Sequence, residues 1–408
     1  MRKNLIDNKK TLDNAMTKKL ISIESARQQL IDGVSTIKVT ETLPLMHAFG
    51  RVLAQPYQAS INVPPADNSA MDGYAVNSMG LQVGSSLPIS QRIVAGEVAQ
   101  PLLAGTAARI FTGAEIPAGA DAVIIQEDCR VEGDWVSLLA PVKPWENIRP
   151  QGQDIHAGTR LLEKGHYLGA EDVGLLASVN IAEVMVYRPL RVALLSTGDE
   201  LLEPGQPQAP GKIYNSNRYL LTGLLRDLGC EVVDLGIVAD TLDATKAALQ
   251  QAAEADVILS SGGVSVGEED HVKAAVTELG ELKLWKINLK PGKPLAFGYV
   301  GETPFVGLPG NPVSAFVTFT LLVRALLFKR QGRTYVSPQP LRLPALFALP
   351  NPRKRCEYLR GRITPTGVEI YPQQSSGALS SVVWANCLVR IDVGISVAEG
   401  DEVQVYPL

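Results

Sequence analysis

The sequence predicts a multidomain α/β protein whose central domain has three layers, α/β/α, around a mostly parallel sheet. An N-terminal helical region interrupted by a small β domain, and a C-terminal β-barrel-like domain, complete the expected fold. Three observations support this prediction. The 408 residues are too many for one ordinary core. Apolar strands alternate with helical patterns over 189–330. Short β-rich runs with Gly and Pro turns lie on both sides of that stretch.

The N-terminal part combines two textures. The segments SIESARQQLIDGV and LPLMHAFGRVLA place a large apolar residue at every third or fourth position, which is typical of helices. Runs such as RIVAGEV and DAVIIQEDCRVEGDWVSLLA are β-rich, and helical spacing then returns in LLEKGHYLGAEDVGLLASVN. We therefore expect one helical domain made of 12–54 and 142–180, interrupted by an inserted β domain over 55–141.

The next part alternates strands with helices. RVALLSTGDEL, EVVDLGIVAD and ADVILSSGG are apolar strands that end in polar or glycine loops, and helical patterns lie between them. We expect an α/β domain over 181–332, followed by a Pro-rich connector and a C-terminal β domain over 338–408. In open α/β sheets the ligand crevice lies at the carboxyl ends of the strands, and the polar loops fall there.

Carboxylates follow three of these strands. Glu200 comes after the first strand, Asp240 after the second, and Asp270 after the third. Asp270 shares the segment SSGGVSVGEED with Gly262 and Gly263, whose bare backbone N–H groups can cradle an anion. An anionic ligand by itself would be repelled by the carboxylates.

Further anion receptors follow along the chain. The segment WKINLKPGKP carries Lys286, Lys290 and Lys293, and in GLPGNPVSA the residue Asn311 is a good N-cap before Pro312 at the first helical position. A helix N-terminus attracts anions. Phosphate oxygens and carboxylates tolerate each other when they share Mg²⁺. The sequence therefore predicts a phosphorylated or nucleotide-like ligand held with a divalent cation, whose phosphate bond is broken.

Each element also has an ordinary structural interpretation. A Gly-Gly pair after a strand is commonly a turn, single carboxylates cap helices, and lysines near a turn keep an edge soluble. Likewise, Asp72 and Gly73 in DNSAMDGYAV read as an Asp-Gly turn. The functional interpretation gains weight because the elements converge on one edge of one predicted sheet.

Composition excludes several classes of protein. The formal net charge of −4 and the lack of a long basic stripe argue against a nucleic-acid binder, and the run PRKR at 352–355 is interpreted as a solvated loop. The four cysteines are far apart, so no zinc site or disulfide framework is indicated, and we expect a cytoplasmic protein. The segment FVTFTLLVRALLFKR is interpreted as a buried helix, too short to span a bilayer.

Six motifs together resemble one family. DNSAMDGYAV, RIFTGAEIP, STGDEL, SSGGVSVGEED, KPGKPLAFG and GLPGNPVS, in this order and spacing, resemble the molybdopterin molybdenumtransferases, which are the bacterial MoeA proteins and the C-terminal domain of gephyrin. The resemblance runs from about residue 12 to 408. It implies that adenylylated molybdopterin and molybdate are the substrates, that Mg²⁺ is required, and that AMP is released as molybdenum is placed on the dithiolene.

The resemblance also implies site residues. It gives catalytic roles to Asp72, Asp154, Glu200, Asp240 and Asp270. Among these, the expected Mg²⁺ ligands are Glu200, Asp240 and Asp270. The expected residues for binding the pterin, phosphate or molybdate are Thr112, Gly262, Gly263, Lys286, Lys290, Lys293, Pro309, Asn311, Pro312, Arg360 and Ser376. The chain departs from the family where Gln153 precedes Asp154 and where His271 replaces a common Tyr.

The resemblance further implies a homodimer with shared active sites, because in the family the β insertion of one subunit reaches the α/β domain of the other. Molybdopterin adenylyltransferase and molybdoenzyme-maturation proteins are expected partners; nucleic acid and membrane are not. Two alternatives stay open: the adenylyltransferase of the preceding step, which shares the α/β domain, and a non-enzymatic scaffold like the gephyrin domain. The sequence leaves open whether molybdate or tungstate is preferred.

Overall fold

A computed structural model describes residues 20–263 and 271–408. The described chain divides into two compact units. The first unit contains the residues up to Glu41, Gly50–Ala54 and Tyr187–Leu408, and the second contains Thr42–Phe49 and Gln55–Val186. Two strands, Thr40–Pro44 and Glu183–Tyr187, include residues of both units. Elements of the first unit are numbered below in chain order.

The first unit is built on a mixed sheet. In the described ranges, six strands form it in the order β2-β1-β3-β6-β5-β4. Strands β1, β2, β3 and β6 pair in parallel, whereas β5 is antiparallel to both of its neighbours. Five strands therefore run in one direction, which confirms the predicted mostly parallel sheet. Their bounds are β1 Arg191–Thr197, β2 Glu231–Val238, β3 Val257–Ser261, β4 Gly280–Lys286, β5 Pro294–Val300 and β6 Thr303–Leu308.

Helices cover both faces of this sheet. On β1, alternate residues belong to different buried clusters: Val192 and Leu194 pack with α1, α2 and α5, and Ala193 and Leu195 pack with α3 and α4. This alternation produces the three layers that the sequence predicted, because successive side chains of a strand point to opposite faces. The helices are α1 Ile23–Asp32, α2 Ser216–Asp227, α3 Leu242–Ala252, α4 His271–Leu279 and α5 Pro312–Gln331.

The longest of these helices, α5, is almost wholly buried. A π-helical turn, Phe319–Val323, interrupts its α-helical hydrogen bonding. Among the described helices it alone is long and apolar enough to cross a membrane by length and composition, yet 78% of its most apolar window is buried within the fold. The expected buried helix is thus confirmed. The expectation that it is too short to span a bilayer is wrong, because it begins at Pro312 and runs for 20 residues.

The C-terminal part of the first unit is an antiparallel sheet. Its described strands follow the order β7-β11-β10-β8-β9, and one face packs around a separate core that includes Leu359, Val389 and Val405. A short helix, α6, precedes β10. The bounds are β7 Leu341–Pro344, β8 Glu357–Thr364, β9 Gly367–Ile370, α6 Ser380–Trp384, β10 Cys387–Ile391 and β11 Glu402–Pro407. A two-residue strand pair, Leu201–Leu202 with Ile213–Tyr214, lies elsewhere in this unit.

The second unit contains a mixed β-sheet. Its described strands, in spatial order, are Ala122–Ile125, Gly73–Val76, Ala107–Ile110, Ser86–Ile93, Trp135–Leu138 and Cys129–Glu132. The two faces of this sheet pack against separate apolar clusters, so the insertion has its own core. Shorter elements of the unit are Tyr57–Gln58, Asn68–Ser69, Ile148–Arg149, Arg160–Leu162 and the helix Ala170–Ser178.

Helical spacing overpredicted helix in this region. The segment LPLMHAFGRVLA forms only a short 3₁₀ turn, Leu45–His47, and the segment after Arg160 begins as a strand. Gly50 has a φ of 72°, a left-handed conformation that ends a helical run. A spacing of three to four residues between apolar side chains predicts a helix, but in LPLMHAFGRVLA turns rather than a continuous helix bring the apolar side chains to buried positions. The predicted limits of the four domains stay predictions.

Candidate active site at the carboxyl edge of the central sheet

A cleft of about 1120 Å³ lies at the carboxyl edge of the central sheet. Loops after β1, β2, β3, β4 and β6 form its walls, together with a loop of the C-terminal sheet. Five strands run in one direction, so their following loops meet at this edge. The residues lining it are Thr197, Gly198, Glu200, Asp240, Gly262, Gly263, His271, Lys290, Pro291, Gly292, Lys293, Pro294, Pro309, Gly310, Asn311, Ser314, Arg355, Gln374, Ser375 and Ser376.

Side chains of both charges line the cleft. Glu200 and Asp240 come from the loops after β1 and β2, and Lys290 and Lys293 come from the loop between β4 and β5. The carboxylate of Glu200 lies against Gly198, so a Cβ added to Gly198 would be 2.5 Å from Glu200 Oε2. Four of the predicted charged residues are therefore gathered in one cleft.

The glycine loop after β3 requires its glycines. Gly262 and Gly263 have φ angles of 91° and 65°, in the left-handed region that favours glycine. A Cβ on Gly262 would lie 2.7 Å from the backbone oxygen of Thr197, and one on Gly263 would overlap the side chain of Val272. The loop thus keeps its backbone bare where it faces the cleft.

Buried polar atoms without partners lie behind the glycine loop. Thr197 is 5% exposed, and its Oγ1 has no hydrogen-bond partner among the described residues. The amide of Asn217 donates to Ser261 Oγ at 2.8 Å and to the Gly310 carbonyl at 2.7 Å, which ties the loops after β3 and β6 together. Thr197 Oγ1 is thus a buried hydroxyl without a partner among the described residues, and it packs directly behind Gly263.

The start of α5 forms the wall next to Gly310. Asn311 occupies the N-cap position and Pro312 the first helical position, as the sequence indicated. The Asn311 side chain makes no capping hydrogen bond, however, and the Val313 N–H donates to the Ser376 carbonyl at 3.1 Å. The side chain of Asn311, which lines the cleft, is therefore not used for capping.

Arg360, on β8, is completely buried beneath this wall. Its guanidinium donates to Ser381 Oγ at 3.0 Å and to the Ser375 carbonyl at 3.2 Å. No carboxylate accepts from it among the described residues, and burial lowers its pKa to about 10. Arg360 does not line the cleft itself, but it holds the backbone of Ser375, which does.

Two other predicted residues, Lys286 and Pro312, are not among the lining residues, and a third, Asp270, is not described. Lys286 is the last residue of β4 and pairs with Pro294, Pro312 follows Asn311 into α5, and Asp270 lies outside the described residues. The structure therefore describes two of the three expected Mg²⁺ ligands, Glu200 and Asp240, both on the cleft.

The remaining predicted residues belong to the second unit. Asp72 Oδ1 accepts hydrogen bonds from the backbone N–H and the hydroxyl of Thr112, both at 2.8 Å. These bonds, with a smaller contribution from Arg109, lower the pKa of Asp72 below its ordinary value, so the carboxylate stays ionised at neutral pH. The Asp154 backbone N–H donates to Val63 at 3.0 Å. Asp72 and Thr112, which were predicted from separate motifs, are thus hydrogen-bonded to each other.

Sequence reasoning missed several cleft residues. Arg355 belongs to the run PRKR, which was interpreted as a solvated loop, yet it lines the cleft. Gln374 and Ser375 also line it, and Gln374 is fixed by hydrogen bonds with the backbone of Arg360. The sequence offered one signal for Gln374 and Ser375, namely that they directly precede Ser376, a predicted site residue. His271 lines the cleft as well, although its type argued against a role as an invariant ligand.

The fold and the cleft define a class, namely multidomain α/β proteins that present a mixed-charge cleft at the carboxyl edge of the sheet. A molybdopterin molybdenumtransferase of Haemophilus influenzae is 40% identical over 95% of this chain and 98% of its own length. The chain therefore belongs to the MoeA family of molybdopterin molybdenumtransferases.

Further comparisons agree with this membership. Residues 21–180 match the family described as MoeA N-terminal region (domain I and II), 193–329 a probable molybdopterin binding domain, and 342–408 the MoeA C-terminal region (domain IV). A molybdopterin molybdenumtransferase of Synechococcus elongatus is 36% identical over 95% of this chain and all of its own length. The crystal structure of a molybdopterin biosynthesis MoeA protein from Pyrococcus horikoshii aligns with a TM-score of 0.84 at 30% identity, covering 96% of this chain and all of that one.

Proposed function

We propose that this protein inserts molybdenum from molybdate into adenylylated molybdopterin and releases AMP in a Mg²⁺-dependent step of molybdenum cofactor biosynthesis. The family supports the enzyme class, a molybdopterin molybdenumtransferase. The observation that carries the finer proposal is the meeting of Glu200 and Asp240 with Lys290 and Lys293 in one cleft. A phosphoanhydride with a bound cation needs receptors of both charges.

The donor set on the cleft suits Mg²⁺. This ion binds through one or two carboxylates, keeps several waters and shares substrate phosphate oxygens, so Glu200 and Asp240 on the cleft would serve as ligands, with Asp270 as the third candidate. In the described ranges, no group of three or more His, Cys, Asp or Glu side chains is arranged to hold a metal ion. When bound, Mg²⁺ would neutralise charge on the phosphoanhydride oxygens.

The residues around the proposed phosphoanhydride would have different roles. Lys290 and Lys293 would neutralise phosphate or molybdate oxygens, and the bare loop of Gly262 and Gly263 would admit a phosphate close to the backbone. Asp240 would orient the oxygen that attacks phosphorus as AMP leaves. Pro309, Asn311 and Pro312, between β6 and the first turn of α5, would shape the opposite wall. Arg360 and Ser376, in the C-terminal part, would contribute to binding molybdate.

The protein's own thiols suit a reaction in which the substrate supplies the sulfurs. All four cysteines are free. Burial raises the pKa of Cys230, Cys356 and Cys387 to about 12 and that of Cys129 to about 11. Because the thiolate is the form that binds metals, these side chains do not compete with the dithiolene for molybdenum at neutral pH. Free thiols also support the cytoplasmic location that we propose.

A reconstituted reaction tests the proposal. Purified protein with adenylylated molybdopterin, molybdate and Mg²⁺ is expected to release AMP and to bind molybdenum on the pterin in equal amounts, measured by chromatography and metal analysis. Chelation of the divalent ion with EDTA should stop AMP release, because the phosphoanhydride charge is then not neutralised. AMP formed at the full rate without Mg²⁺ would contradict the proposal.

The same assay separates the alternatives. If the protein is the adenylyltransferase of the preceding step, molybdopterin and ATP without molybdate will yield net adenylylated product. If it is a scaffold of the gephyrin type, it will show neither reaction. We expect neither outcome, because the flanking domains match the MoeA N-terminal and C-terminal regions rather than an isolated α/β domain.

We also propose that the protein is a homodimer, in which each active site combines the Asp72–Thr112 region of one subunit with the cleft of the other. Its proposed partners are molybdopterin adenylyltransferase and molybdoenzyme-maturation proteins. Subunit mixing tests the dimer. Asp72→Asn and Asp240→Asn should each be inactive alone, because each removes one side of every site. Dissociated and reassembled together in equal amounts, they are expected to recover about a quarter of the wild-type activity, since half of the dimers carry one intact site. No recovery in mixtures shown to contain heterodimers would contradict a shared site.

A further inference from the structure

A buried carboxylate lies directly behind Lys290, one of the lysines of the cleft. Glu357, on β8, is 6% exposed. Its Oε1 accepts a hydrogen bond from Lys290 Nζ at 2.8 Å, and its Oε2 lies 3.8 Å from Arg353 Nε. The side chain of Lys290 is half exposed and also lines the cleft, so one lysine faces both the protein carboxylate and the cleft.

The backbone fixes this pair. The Lys290 N–H donates to the Cys356 carbonyl at 2.9 Å, and the Tyr358 N–H donates to the Lys290 carbonyl at 2.9 Å. The loop that carries Lys290 therefore lies against β8 as a short parallel pairing with Glu357 opposite the lysine. An ion pair between two mobile surface side chains would cost side-chain entropy to form, whereas this geometry is set in advance.

The surroundings of Glu357 are strongly cationic. A smaller cavity of about 350 Å³ is lined by Lys290, Arg353, Lys354 and Arg355, with Glu357 as the one carboxylate among its described lining residues. Lys290 and Arg355 line this cavity and the main cleft alike. Arg353 Nε is buried and has no hydrogen-bond partner in the described chain. Glu357 thus neutralises part of a cluster that would otherwise attract any anion.

We propose that Glu357 is a positioning and charge-balancing residue, which orients the Lys290 ammonium for a tetrahedral oxyanion and lowers the affinity of the cleft so that the oxyanion can leave Lys290 and react. The proposal rests on the function proposed above, in which molybdate is a substrate. An ammonium has three donors, so Lys290 keeps two for the ligand while one is held by Glu357. The fixed negative charge repels a dianion bound to Lys290, and it limits affinity without removing the receptor.

Replacing Glu357 by glutamine separates this role from simple structural support. In Glu357→Gln the dissociation constant for molybdate alone, measured by calorimetry, is expected to fall about tenfold and to depend more steeply on salt, because one opposing charge is gone. The KM for molybdate should fall too, while kcat of molybdenum insertion falls about tenfold because Lys290 is no longer oriented. Glu402→Gln, an exposed carboxylate of the same sheet that lies 3.8 Å from Arg342, is the matched control and should change neither constant.

Two further variants complete the experiment. Glu357→Asp keeps the charge, so it should keep the molybdate affinity and recover part of kcat; it also serves if Glu357→Gln fails to fold by circular dichroism. In the Lys290→Met background, the Glu357→Gln change should no longer tighten molybdate binding. Unchanged or weaker molybdate binding in folded Glu357→Gln overturns the inference, and so does binding by Glu357→Asp that is as tight as the binding expected of Glu357→Gln. A wild-type protein that neither binds molybdate nor inserts molybdenum overturns the proposed function instead.

Discussion

Replacing Asp240 by asparagine is expected to slow AMP release by about 100-fold or more while leaving the fold intact. The side chain lies at the carboxyl end of β2 and lines the cleft, and asparagine keeps its shape but removes the charge. A neutral amide oxygen binds a hard cation more weakly than a carboxylate, so half-maximal activity should require more Mg²⁺. Chromatographic AMP assays over a range of Mg²⁺ concentrations measure both effects.

A nearby carboxylate gives the control for this prediction. Asp243 lies three residues further on, exposed in the first turn of α3, and does not line the cleft. Asp243→Asn removes only a favourable interaction with the helix dipole, which costs about 0.3–1 kcal/mol of stability, and should keep full activity. If Asp240→Asn released AMP as fast as Asp243→Asn, with the same dependence on Mg²⁺, Asp240 would have no part in the chemistry.

Replacing Gly263 by alanine is expected to lower the rate of molybdenum insertion by about 100-fold and the free energy of unfolding by about 2–3 kcal/mol. The φ of 65° is unfavourable for alanine. The added methyl would also lie 2.8 Å from Thr197 Oγ1 and overlap Val272, a β-branched side chain that cannot easily turn aside. Steady-state kinetics and chemical denaturation measure the two losses.

Gly301 separates strain from site geometry. It lies in the turn between β5 and β6 with a φ of 59°, and a Cβ there would meet nothing within 4 Å. Gly301→Ala should therefore lose about 1–2 kcal/mol of stability from the backbone conformation alone and keep its activity. A matching loss of activity in Gly301→Ala would show that lower stability, rather than the altered glycine loop after β3, explains the low activity of Gly263→Ala.

Much of the fold followed from the sequence because local patterns agreed with the long-range arrangement. Strands such as RVALLSTGDEL end in polar loops, and parallel pairing brings those loops to one edge, so Glu200, Asp240, Gly262 and Gly263 could be grouped without knowing the order of the strands. The reversed direction of β5 does not disturb this grouping, because its first residue, rather than its last, lies at that edge.

What the sequence left out depends on contacts between distant segments. Arg355 and Gln374 reach the cleft only because the C-terminal part of the unit folds against the loops after β4 and β6, and no local pattern encodes that contact. Glu357 went unnoticed for the same reason, since its partner Lys290 is 67 residues away. The charge run PRKR was a signal, but its usual interpretation as a solvated loop hid the part that Arg355 plays in the cleft wall.

The backbone pairing of Lys290 with β8 limits how far this enzyme can be dissected. A fragment that ended after α5 would retain every strand of the central sheet, but the N–H and carbonyl of Lys290 would lose their acceptor and donor. Unpaired polar groups at such a position favour rearrangement of the loop that bears them. The C-terminal sheet therefore cannot be removed without effect on the α/β part of the chain, because Lys290, which belongs to the α/β part, is held in place by β8.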